Sequence, residues 1–335
     1  MNYVMPAEWT EHERTWMAWP PDNTALGESP EQAQDAYRAW SAVANAIVDF
    51  EPVTMVVDPR DVSHAEKWLD SRVEVVQANL DDCWMRDMGP TYVTDSVGKL
   101  AAVDWVFNGW GAQEWAKWDH DSQIARFVAD TSRTPVVSSP MTNEGGGIHV
   151  NGTGTVIITE TVQLDPFRNP GLTKADVEAE FSRTLGVDRV VWLKRGLTRD
   201  YEQFGTRGHV DIIATFCNDN TVLFHDQQNP EHPDFVVSAE VKQTLTEAGF
   251  DLIPVPAPKV VKDEEGWVDY SYINHYVCNG AVILCGFADE NDANAVRIME
   301  QAYPGRKIVL VDAREIFARG GGIHCITQQQ PKPLV

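Results

Sequence analysis

Basic residues are scarce in this chain. Its 335 residues include 27 Lys and Arg against 50 Asp and Glu, which gives a formal net charge of −23. A surface this acidic disfavours nucleic acid and anionic membranes as partners, because their phosphate groups would be repelled. It would suit a small cationic ligand. The alternative, that the acidic surface only keeps the protein dissolved, is the commoner situation among proteins.

Long apolar runs and cysteine pairs are also lacking. No run approaches the roughly 20 apolar residues of a transmembrane helix. The start, MNYVMPAEWTEHERTW, has an early proline and acidic residues where a secretory signal would be basic and then apolar. Five cysteines are an odd and low number for a disulfide framework. These features predict a cytoplasmic protein whose thiols are free for chemistry.

What recurs along the chain is an apolar run, a turn rich in Gly, Asn or Asp, and a second apolar run. This pattern is typical of β-hairpins, and Asn279-Gly280 is its strongest turn signal. The four copies are PTYVTDSVGKLAAVDWVF from Pro90, IHVNGTGTVIITE from Ile148, HVDIIATFCNDNTVLFHD from His209 and YINHYVCNGAVILCGF from Tyr272.

Helical segments separate these hairpins: SPEQAQDAYRAWSAVANAIVDF from Ser29, TKADVEAEFSRTLG from Thr173 and SAEVKQTLTEAGF from Ser238. Each is expected to begin at its Ser or Thr, and the last two to end at Gly. The hairpins recur about every 60 residues, which indicates roughly five repeated units. Since no linker rich in Pro, Gly or Ser divides the chain, we predict an α/β protein with one domain over residues 1–335. Its ββαβ-like units are expected to form a closed ring around a central axis.

The closest internal match pairs GGGIHV from Gly145 with GGGIHC from Gly320. Both copies are expected to lead directly into a strand. Cys325 ends the second copy, where glycines such as Gly322 let the backbone approach a ligand closely. It is the favoured nucleophile over Cys83, whose acidic neighbours would raise its pKa. The remaining cysteines, which lie in apolar runs, are expected to be small buried side chains: Cys217, Cys278 and Cys285.

A thiol nucleophile needs a group that moves protons, and His209 is the best candidate. If GHVD begins a strand, His209 and Asp211 lie two residues apart on the same face. The alternative is that His209 caps the strand and Asp211 only solvates it. His149 and His324 have apolar neighbours in sequence and are expected to be structural.

Two further carboxylates, Asp87 and Glu144, each lie just ahead of a hairpin, as His209 and Cys325 lie ahead of a strand. In a ring of equivalent units such positions converge on the axis. The alternatives are that Arg86 only neutralises Asp87, and that Glu144 caps a turn. Together the set selects a planar guanidinium, because two carboxylates can hold its N–H groups and leave its carbon open to a thiolate.

Metal hydrolysis and phosphate binding are the competing chemistries for such residues. The sequence has no CxxC, HxH or HExxH spacing that would indicate a zinc site. Neither GGG run has the Gly-x-Gly-x-x-Gly spacing or the Lys-Ser/Thr ending of a phosphate loop. These spacings therefore favour neither a zinc site nor a phosphate loop.

These motifs resemble those of the agmatine deiminase family, which is related more distantly to the bacterial peptidylarginine deiminases. The matching segments are CWMRDMGPTYV from Cys83, NEGGGIHVNGTGTVIITE from Asn143, GHVDIIATF from Gly208, YINHYVCNG from Tyr272 and GGGIHCITQQQP from Gly320, and the resemblance spans essentially the whole chain. It implies a pentein fold: a propeller of five ββαβ units with pseudo-fivefold symmetry around a central active-site cleft, without metal or cofactor.

The resemblance also implies a role for each matched residue. Cys325 is the expected nucleophile and His209 the general acid and base. Asp87 and Asp211 are expected to clamp the guanidinium, and Glu144 to grip the substrate or orient His209. The implied reaction is hydrolysis of agmatine to N-carbamoylputrescine and ammonia.

One segment departs from the family pattern. Agmatine-specific members resemble Glu-Thr-Asn just before GHVD, with the Glu near the distal amine, whereas this chain has Gly205 and Arg207 there. Near the pocket, Arg207 would repel an ammonium group and could pair with a carboxylate; the alternative is that it points to solvent. The substrate is thus left open between agmatine and another guanidino compound, such as an arginine derivative, peptidylarginine or a guanidino acid. Trp84 and Trp110 are candidates to pack against it.

Two other classes of function stay open on the sequence. An amidinotransferase would use an amine in place of water, and a binding module would hold guanidino compounds without turnover. A homo-oligomer is also possible on these data.

Overall fold

The strands define five small sheets. The computed structural model describes residues 3–23, 26–27, 29–263 and 266–334. The single-domain expectation for residues 1–335 therefore also covers positions 1–2, 24–25, 28, 264–265 and 335, which lie outside this part. The strands are β1 His12–Ala18, β2 Val53–Val57, β3 Glu74–Gln77, β4 Thr91–Thr94, β5 Leu100–Val106, β6 Val136–Thr142, β7 Ile148–Val150, β8 Thr155–Thr159, β9 Arg189–Leu193, β10 Ala214–Phe216, β11 Thr221–Asp226, β12 Asp251–Pro256, β13 Tyr276–Cys278, β14 Ala281–Gly286, β15 Lys307–Asp312 and β16 Gln328–Pro331.

The helices are mostly short, with five long enough to cover a sheet. They are α1 Pro30–Ile47, α2 Val62–Ala65, α3 Met85–Met88, α4 Gly109–Ala112, α5 Ile124–Thr131, α6 Glu160–Gln163, α7 Lys174–Leu185, α8 Asp234–Glu247, α9 Asp292–Ala302 and α10 Arg314–Phe317. Four 3-10 turns add to these, over Asp121–Gln123, Gly145–Gly147, Arg199–Tyr201 and Val210–Ile212.

Each sheet repeats one arrangement. In the order β4-β5-β6, the first two strands pair antiparallel and the third lies parallel to the second. The sheets β7-β8-β9, β10-β11-β12 and β13-β14-β15 follow the same order and senses. A parallel pair requires a crossover, and α5, α7, α8 and α9 provide it in the four sheets. The predicted repeat of hairpin and helix is confirmed at this level.

The fifth sheet joins the two ends of the chain. Its order is β16-β1-β2-β3, so the last strand supplies the antiparallel partner that the first strand lacks. His12 pairs with Pro331 and Trp16 with Gln328. The buried Trp16 ring donates from Nε1 to Gln330 Oε1 at 2.8 Å. The catalytic candidates near the C-terminus are therefore anchored by residues from the N-terminus.

Two of the three predicted helix starts are confirmed. Ser29 caps α1 and Thr173 caps α7, each through a capping box with the residue three positions on. The prediction for Ser238 was wrong, because α8 begins a turn earlier, at Asp234. Ser238 faces inward and accepts a hydrogen bond from the Gln227 backbone N–H at 3.0 Å. The α7 helix ends at the predicted Gly186, which has a φ of 70°.

The expected strand at GHVD was also wrong. Val210–Ile212 forms a 3-10 turn, and β10 begins only at Ala214. Two features stop the strand from starting earlier: Gly208 has a φ of 118°, and the Asp200 carboxylate accepts the backbone N–H groups of Gly208 and His209. The second GGG copy likewise does not lead straight into a strand, since β16 begins at Gln328.

The hydrophobic core divides into three clusters of buried side chains. The largest lies around α1, β1, β2 and β14, and contains Trp16, Trp19 and Trp40. The other two lie beneath α8 and α7. Across the described residues, no helix combines the length and apolar character needed to cross a membrane.

The glycine that ends α7 offers a test of the fold. An Ala side chain at Gly186 would overlap the Tyr3 carbonyl oxygen, whereas one at Gly249, after α8, would meet nothing within 4 Å. Both glycines are left-handed, with φ of 70° and 83°. We expect Gly249→Ala to lower the thermal unfolding midpoint by roughly 2–4 °C, and Gly186→Ala by at least about twice as much. Equal shifts in calorimetry would contradict the packing of Tyr3 against this helix end.

Candidate active site

The five predicted catalytic side chains come together although they are far apart in sequence. Asp87 lies on α3, Glu144 precedes β7, His209 and Asp211 flank the start of the 3-10 turn before β10, and Cys325 lies in the turn before β16. All five are buried. Each thus precedes the first strand of a sheet, and this shared position brings them to one place.

Gly146 marks the point where three of these side chains meet. A methyl group on its Cα would lie 2.5 Å from His209 Nδ1, 2.9 Å from Asp211 Oδ2 and 3.0 Å from Asp87 Oδ1. The Gly146 N–H also donates to Asp87 Oδ1 at 3.1 Å. Any larger residue would displace the cluster, so the first GGG run is required for close approach of the backbone.

The candidate nucleophile, Cys325, has an amide donor and a carboxylate beside its sulfur. Asn274 Nδ2 donates to Sγ at 3.2 Å, and Sγ lies 3.4 Å from Asp211 Oδ2. The side chain is 4% exposed. Burial, followed by the charges of Asp211 and Asp87, raises the pKa of this thiol well above its usual range. In the free protein the sulfur is therefore a thiol at neutral pH.

His209 lies between two carboxylates. Its Nε2 is 3.2 Å from Glu144 Oε2, and its Nδ1 is 3.8 Å from Asp87 Oδ1. Burial opposes protonation, but the charges of Asp87 and Glu144 outweigh it and raise the pKa of His209 to about 9. Nδ1 is buried and has no hydrogen-bond partner among the described residues. His209 is therefore a cationic acid at neutral pH.

Glu144 is paired with a residue that the sequence reasoning missed. Arg168 Nε lies 2.9 Å and 3.1 Å from the two oxygens of Glu144, and Nη1 contacts Asp165 at 2.9 Å. Burial opposes ionisation of Glu144, but Arg168 and His209 lower its pKa to about 2. The prediction that Glu144 only caps a turn does not fit these contacts. No motif pointed to Arg168, which lies in the loop after α6.

Among the three site carboxylates, Asp87, Glu144 and Asp211, Asp87 is the one whose negative charge is least compensated. Burial, then the negative charges of Asp211 and Glu144, raise its pKa to about 6, while His209 opposes this shift. Trp110 Nε1 donates to Asp87 Oδ2 at 2.9 Å, and the Trp110 ring stacks on Trp115 with 5.4 Å between centroids. A cation bound here would remove the cost of ionising Asp87. Arg86 does not neutralise it, contrary to the alternative considered from the sequence.

Arg86 instead extends away from Asp87. Its Nη1 donates to Gln328 Oε1 at 2.6 Å and Gln329 Oε1 at 2.8 Å, and Nε donates to the His324 carbonyl oxygen at 3.2 Å. Arg86 thereby ties α3 to the segment that carries Cys325.

His149 and His324, which were expected to be structural, are buried and hydrogen-bonded to polar groups. His324 Nδ1 lies 2.8 Å from Asp211 Oδ2 and Nε2 lies 2.8 Å from Glu8 Oε1. Burial opposes ionisation of Asp211, but the His324 contact lowers its pKa. The second oxygen of Asp211, Oδ1, is buried without a hydrogen-bond partner in the described chain. Glu8 lies in the N-terminal segment, and no motif had drawn attention to it.

Glu8, His149 and His324 also have the composition of a metal site, with ligand atoms within 4.8 Å of one another. Each ring nitrogen already has a protein partner, however. His149 Nδ1 accepts the Phe216 N–H at 3.2 Å and Nε2 contacts Thr215 Oγ1 at 2.6 Å. A metal ion would have to replace these bonds, so the group is better described as a hydrogen-bonded network.

The predicted substrate-binding residues are less uniform in position. Trp84 packs near the nucleophile: a methyl group on Gly321 would lie 2.6 Å from the Trp84 ring and 3.2 Å from Cys325 Sγ. Trp110 contacts Asp87, as described. Gly322 packs against the Asn274 side chain, and any side chain there would overlap Asn274 Oδ1.

Arg207 pairs with a carboxylate, which is one of the outcomes considered from the sequence. Its Nη1 lies 3.3 Å from Asp165 Oδ2, and its guanidinium carbon lies 5.4 Å from the centroid of the Phe167 ring. It is half-buried and paired with a carboxylate, so its charge is compensated. At Gly205, a side chain would overlap the Asp200 carbonyl oxygen, which excludes an acidic residue at that position without a backbone shift.

Cys83, the competing nucleophile, belongs to the core. Its thiol lies 3.4 Å from Asp82 Oδ1, and burial together with the Asp82 charge raises its pKa well above the usual range.

Comparisons with known proteins agree with this geometry. A protein of Streptomyces coelicolor with a provisional agmatine deiminase name is 55% identical over 99% of this chain and 100% of its own length. Agmatine deiminase of Ectopseudomonas mendocina is 38% identical over 99% of this chain and 96% of its own. The structure of agmatine deiminase of Enterococcus faecalis superimposes with a TM-score of 0.91 at 30% identity, covering 99% of this chain and 96% of that one.

The family model described as Porphyromonas-type peptidyl-arginine deiminase matches residues 4–331. The match includes all five predicted catalytic residues and nearly the whole chain. This protein therefore belongs to the Porphyromonas-type peptidyl-arginine deiminase family, which shares its α/β fold with the agmatine deiminases.

Proposed function

We propose that this protein is an agmatine deiminase, which hydrolyses the guanidino group of agmatine to N-carbamoylputrescine and ammonia. The observation that carries the proposal is the convergence of the Cys325 thiol, the protonated His209 and the carboxylates of Asp87 and Asp211 on one buried point. The agmatine deiminase relatives at 38% identity support the choice of substrate.

The charges of the site favour a guanidinium as the reacting group. A methyl group on Gly146 would lie 2.9 Å from Asp211 Oδ2 and 3.0 Å from Asp87 Oδ1, and Asp211 Oδ1 has no partner in the described chain. Planar N–H donors match these oxygens, and the bound cation would return the Asp87 carboxyl to its ionised form. The same cation favours transfer of the Cys325 proton to solvent water, since it offsets the two neighbouring negative charges. The substrate thus helps to ionise its own nucleophile.

In the first half-reaction, the Cys325 thiolate adds to the guanidinium carbon and forms a C–S bond. His209 transfers its proton to the nitrogen that departs, the C–N bond breaks, and ammonia leaves. The product of this step is a covalent S-alkylthiouronium. His209 is suited to the transfer because it is protonated at neutral pH and hydrogen-bonds Glu144 through its other nitrogen.

In the second half-reaction, neutral His209 takes a proton from water as the water oxygen adds to the same carbon. The C–S bond then breaks and the sulfur leaves as thiolate, with the ureido product as the other fragment. Dividing the displacement in this way replaces one difficult step with two easier ones. One histidine serves as acid and then as base, which its imidazole chemistry permits.

The surroundings of the site support a cationic substrate tail. Arg207 is neutralised by Asp165, so it presents little repulsion to an ammonium group. A cavity of about 230 Å³ reaches Gly320, beside the nucleophile loop. Three carboxylates and one guanidinium line it: Asp200, Glu202, Asp269 and Arg199. Burial is the main cause that raises the pKa of Asp269 to about 7, a value that a nearby ammonium would lower. A guanidino acid, with its negative tail, would meet these carboxylates unfavourably.

The fold closure, the cofactor requirement, the partner and the location of the protein are proposed together with its activity. We propose that the five sheets close into a single-domain pentein propeller over residues 1–335, which the union of both chain ends in one sheet supports. The reaction requires no metal or organic cofactor. The partner is a small cationic guanidino compound, and a cytoplasmic location and a homo-oligomeric state are proposals of the same standing.

A screen of ammonia release tests the activity and the substrate together. Agmatine is expected to give the highest kcat/KM among agmatine, arginine, acylarginines, peptidylarginine and guanidino acids. Release without added amine separates hydrolysis from amidino transfer. Cys325→Ser should lower kcat by at least about 1,000-fold and leave agmatine binding measurable by calorimetry, whereas Cys83→Ser should keep activity. Preference for an arginine derivative, or unchanged turnover in Cys325→Ser, would contradict the proposal.

The state of the thiol is tested without turnover. Because burial and two carboxylates hold the Cys325 pKa high, the rate of its alkylation by iodoacetamide should still be rising at pH 9, above the ordinary thiol pKa of about 8.5. Peptide mass spectrometry reports modification at this site alone. An inflection below pH 7 would mean that the thiolate forms without substrate.

The acid role of His209 predicts a basic limit to activity. Its pKa is raised to about 9, so His209 keeps its proton below about pH 9 and loses it above that pH. We expect kcat/KM for agmatine to fall as the pH passes through that value. Glu144→Gln removes a neighbouring negative charge and should move this limb down by roughly one pH unit. Glu160→Gln, on the surface beside Lys174, is the matched control and should leave the limb in place. A fixed limb in Glu144→Gln would exclude this role for His209.

A further inference from the structure

A buried row of three ionisable side chains leads from the active site to the N-terminal segment. Glu8 Oε1, His324 Nε2, His324 Nδ1 and Asp211 Oδ2 follow in order, with 2.8 Å at each of the two contacts. Asp211 is the carboxylate beside Cys325, and His324 is its neighbour in sequence. Neither Glu8 nor His324 has a part in the reaction derived above.

The two contacts constrain the protonation of His324. An ionised carboxylate has only acceptor atoms, and a neutral imidazole has a single N–H, so it can donate to only one of two carboxylates. Both contacts are good hydrogen bonds only if His324 carries two protons, or if one carboxyl is protonated. Burial and Arg86 oppose the charge on His324, but Glu8 and Asp211 outweigh them and raise its pKa.

The pKa values of the two carboxyl groups indicate which alternative holds. Burial opposes their ionisation, yet His324 lowers the pKa of Asp211, and His324 and Arg86 lower that of Glu8 well below its usual range. Both carboxylates are therefore ionised around a cationic imidazole. The charged or titratable groups that face His324 from the surrounding elements are Glu8, Asp211, Arg86, His149 and His275.

The hydrogen bonds of this row also determine which oxygen of Asp211 is available to bind substrate. Oδ2 accepts from His324, whereas Oδ1 is buried without a partner in the described residues. His324 in turn is held in place by its backbone N–H, which donates to Asn274 Oδ1 at 2.9 Å. Both ends of the imidazole are thus fixed, and Asp211 cannot rotate without losing a charged hydrogen bond.

We propose that His324 is a positioning residue: as an imidazolium it keeps Asp211 ionised and directs Oδ1 to the substrate guanidinium, and Glu8 keeps His324 protonated. This inference rests on the proposed deiminase function, because it concerns the clamp of that reaction. Without the imidazolium, Asp211 would share a buried space with Asp87 and Glu8 and take up a proton near neutral pH. A neutral carboxyl would hold the guanidinium weakly.

The pH dependence of kcat/KM for agmatine distinguishes this role from a purely structural one. In the parent enzyme the acid limb follows Asp87, whose pKa is about 6. In His324→Gln, Asp211 must also lose a proton, so the limb should steepen and move up by at least about one pH unit. At pH 6.5 we expect KM to rise roughly 10-fold, with partial recovery at pH 8.5. An equal loss at every pH would overturn the proposal.

His149→Gln is the matched control. His149 Nε2 lies 3.6 Å from Glu8 Oε2, the other oxygen of the carboxylate that contacts His324. Its ring is hydrogen-bonded to Thr215 and Phe216 rather than to Asp211. The acid limb of kcat/KM for the His149→Gln variant should lie at the same pH as in the parent enzyme. A shift equal to that of His324→Gln would mean that the network acts through packing and would count against the proposal.

Glu8→Gln tests the same linkage with the imidazole still present. It should shift the acid limb in the same direction as His324→Gln, and the double variant should be no worse than His324→Gln alone, because the two residues act in series. Additive losses would show that Glu8 and His324 act independently and would refute the proposed series.

A measurement on the substrate-free enzyme separates this inference from the proposed function. In 15N-histidine NMR, the resonance that His324→Gln removes should show imidazolium shifts at pH 7, and Glu8→Gln should convert them toward the neutral form. A neutral His324 at pH 7 would contradict this inference even if agmatine is hydrolysed. If the parent enzyme released no ammonia from agmatine, that result would instead contradict the proposed function.

Discussion

The burial of several carboxylates around one thiol is the constraint on which the rest of the site depends. An isolated ionised carboxylate is strongly disfavoured away from water, so each needs a cation or a set of donors nearby. Arg168 meets this need for Glu144, and His324 meets it for Asp211. Asp87 has His209 and the N–H donors of Trp110 and Gly146, but no Arg or Lys partner among the described residues, and burial raises its pKa to about 6. This deficit of positive charge is what makes a planar cation a favourable ligand at this point of the molecule.

That arrangement also explains why His209 and Cys325 differ so much in their protonation. Both are surrounded by the same negative charges, which favour the cationic imidazole and disfavour the anionic sulfur. The free enzyme therefore holds a good acid beside an unreactive thiol. In the mechanism proposed above, the nucleophile becomes reactive only when the substrate brings its own charge.

The repeated sheets provide the geometry. Each functional segment lies just before the first strand of a unit, so segments more than 50 residues apart in sequence meet. The close approach then depends on small residues, above all Gly146, where even a methyl group would collide with three catalytic side chains. The sheet that unites β1 with β16 brings Glu8 from the start of the chain to His324 near its end. The site is thus a product of the whole chain rather than of one half.

The amino-acid sequence alone determined the hairpins, the repeat and the five side chains that the structure brings together, because alternating apolar runs, turn residues and glycine-rich motifs are local signals. It predicted that His209 and Cys325 lie close together, but it misjudged the backbone around Val210–Ile212, the start of β16 at Gln328 and the first residue of α8. It also missed Glu8, Arg168 and the bridging role of His324. Only the tertiary structure decided these points, since the state of a buried charge depends on partners that lie far away in the chain and leave no local pattern.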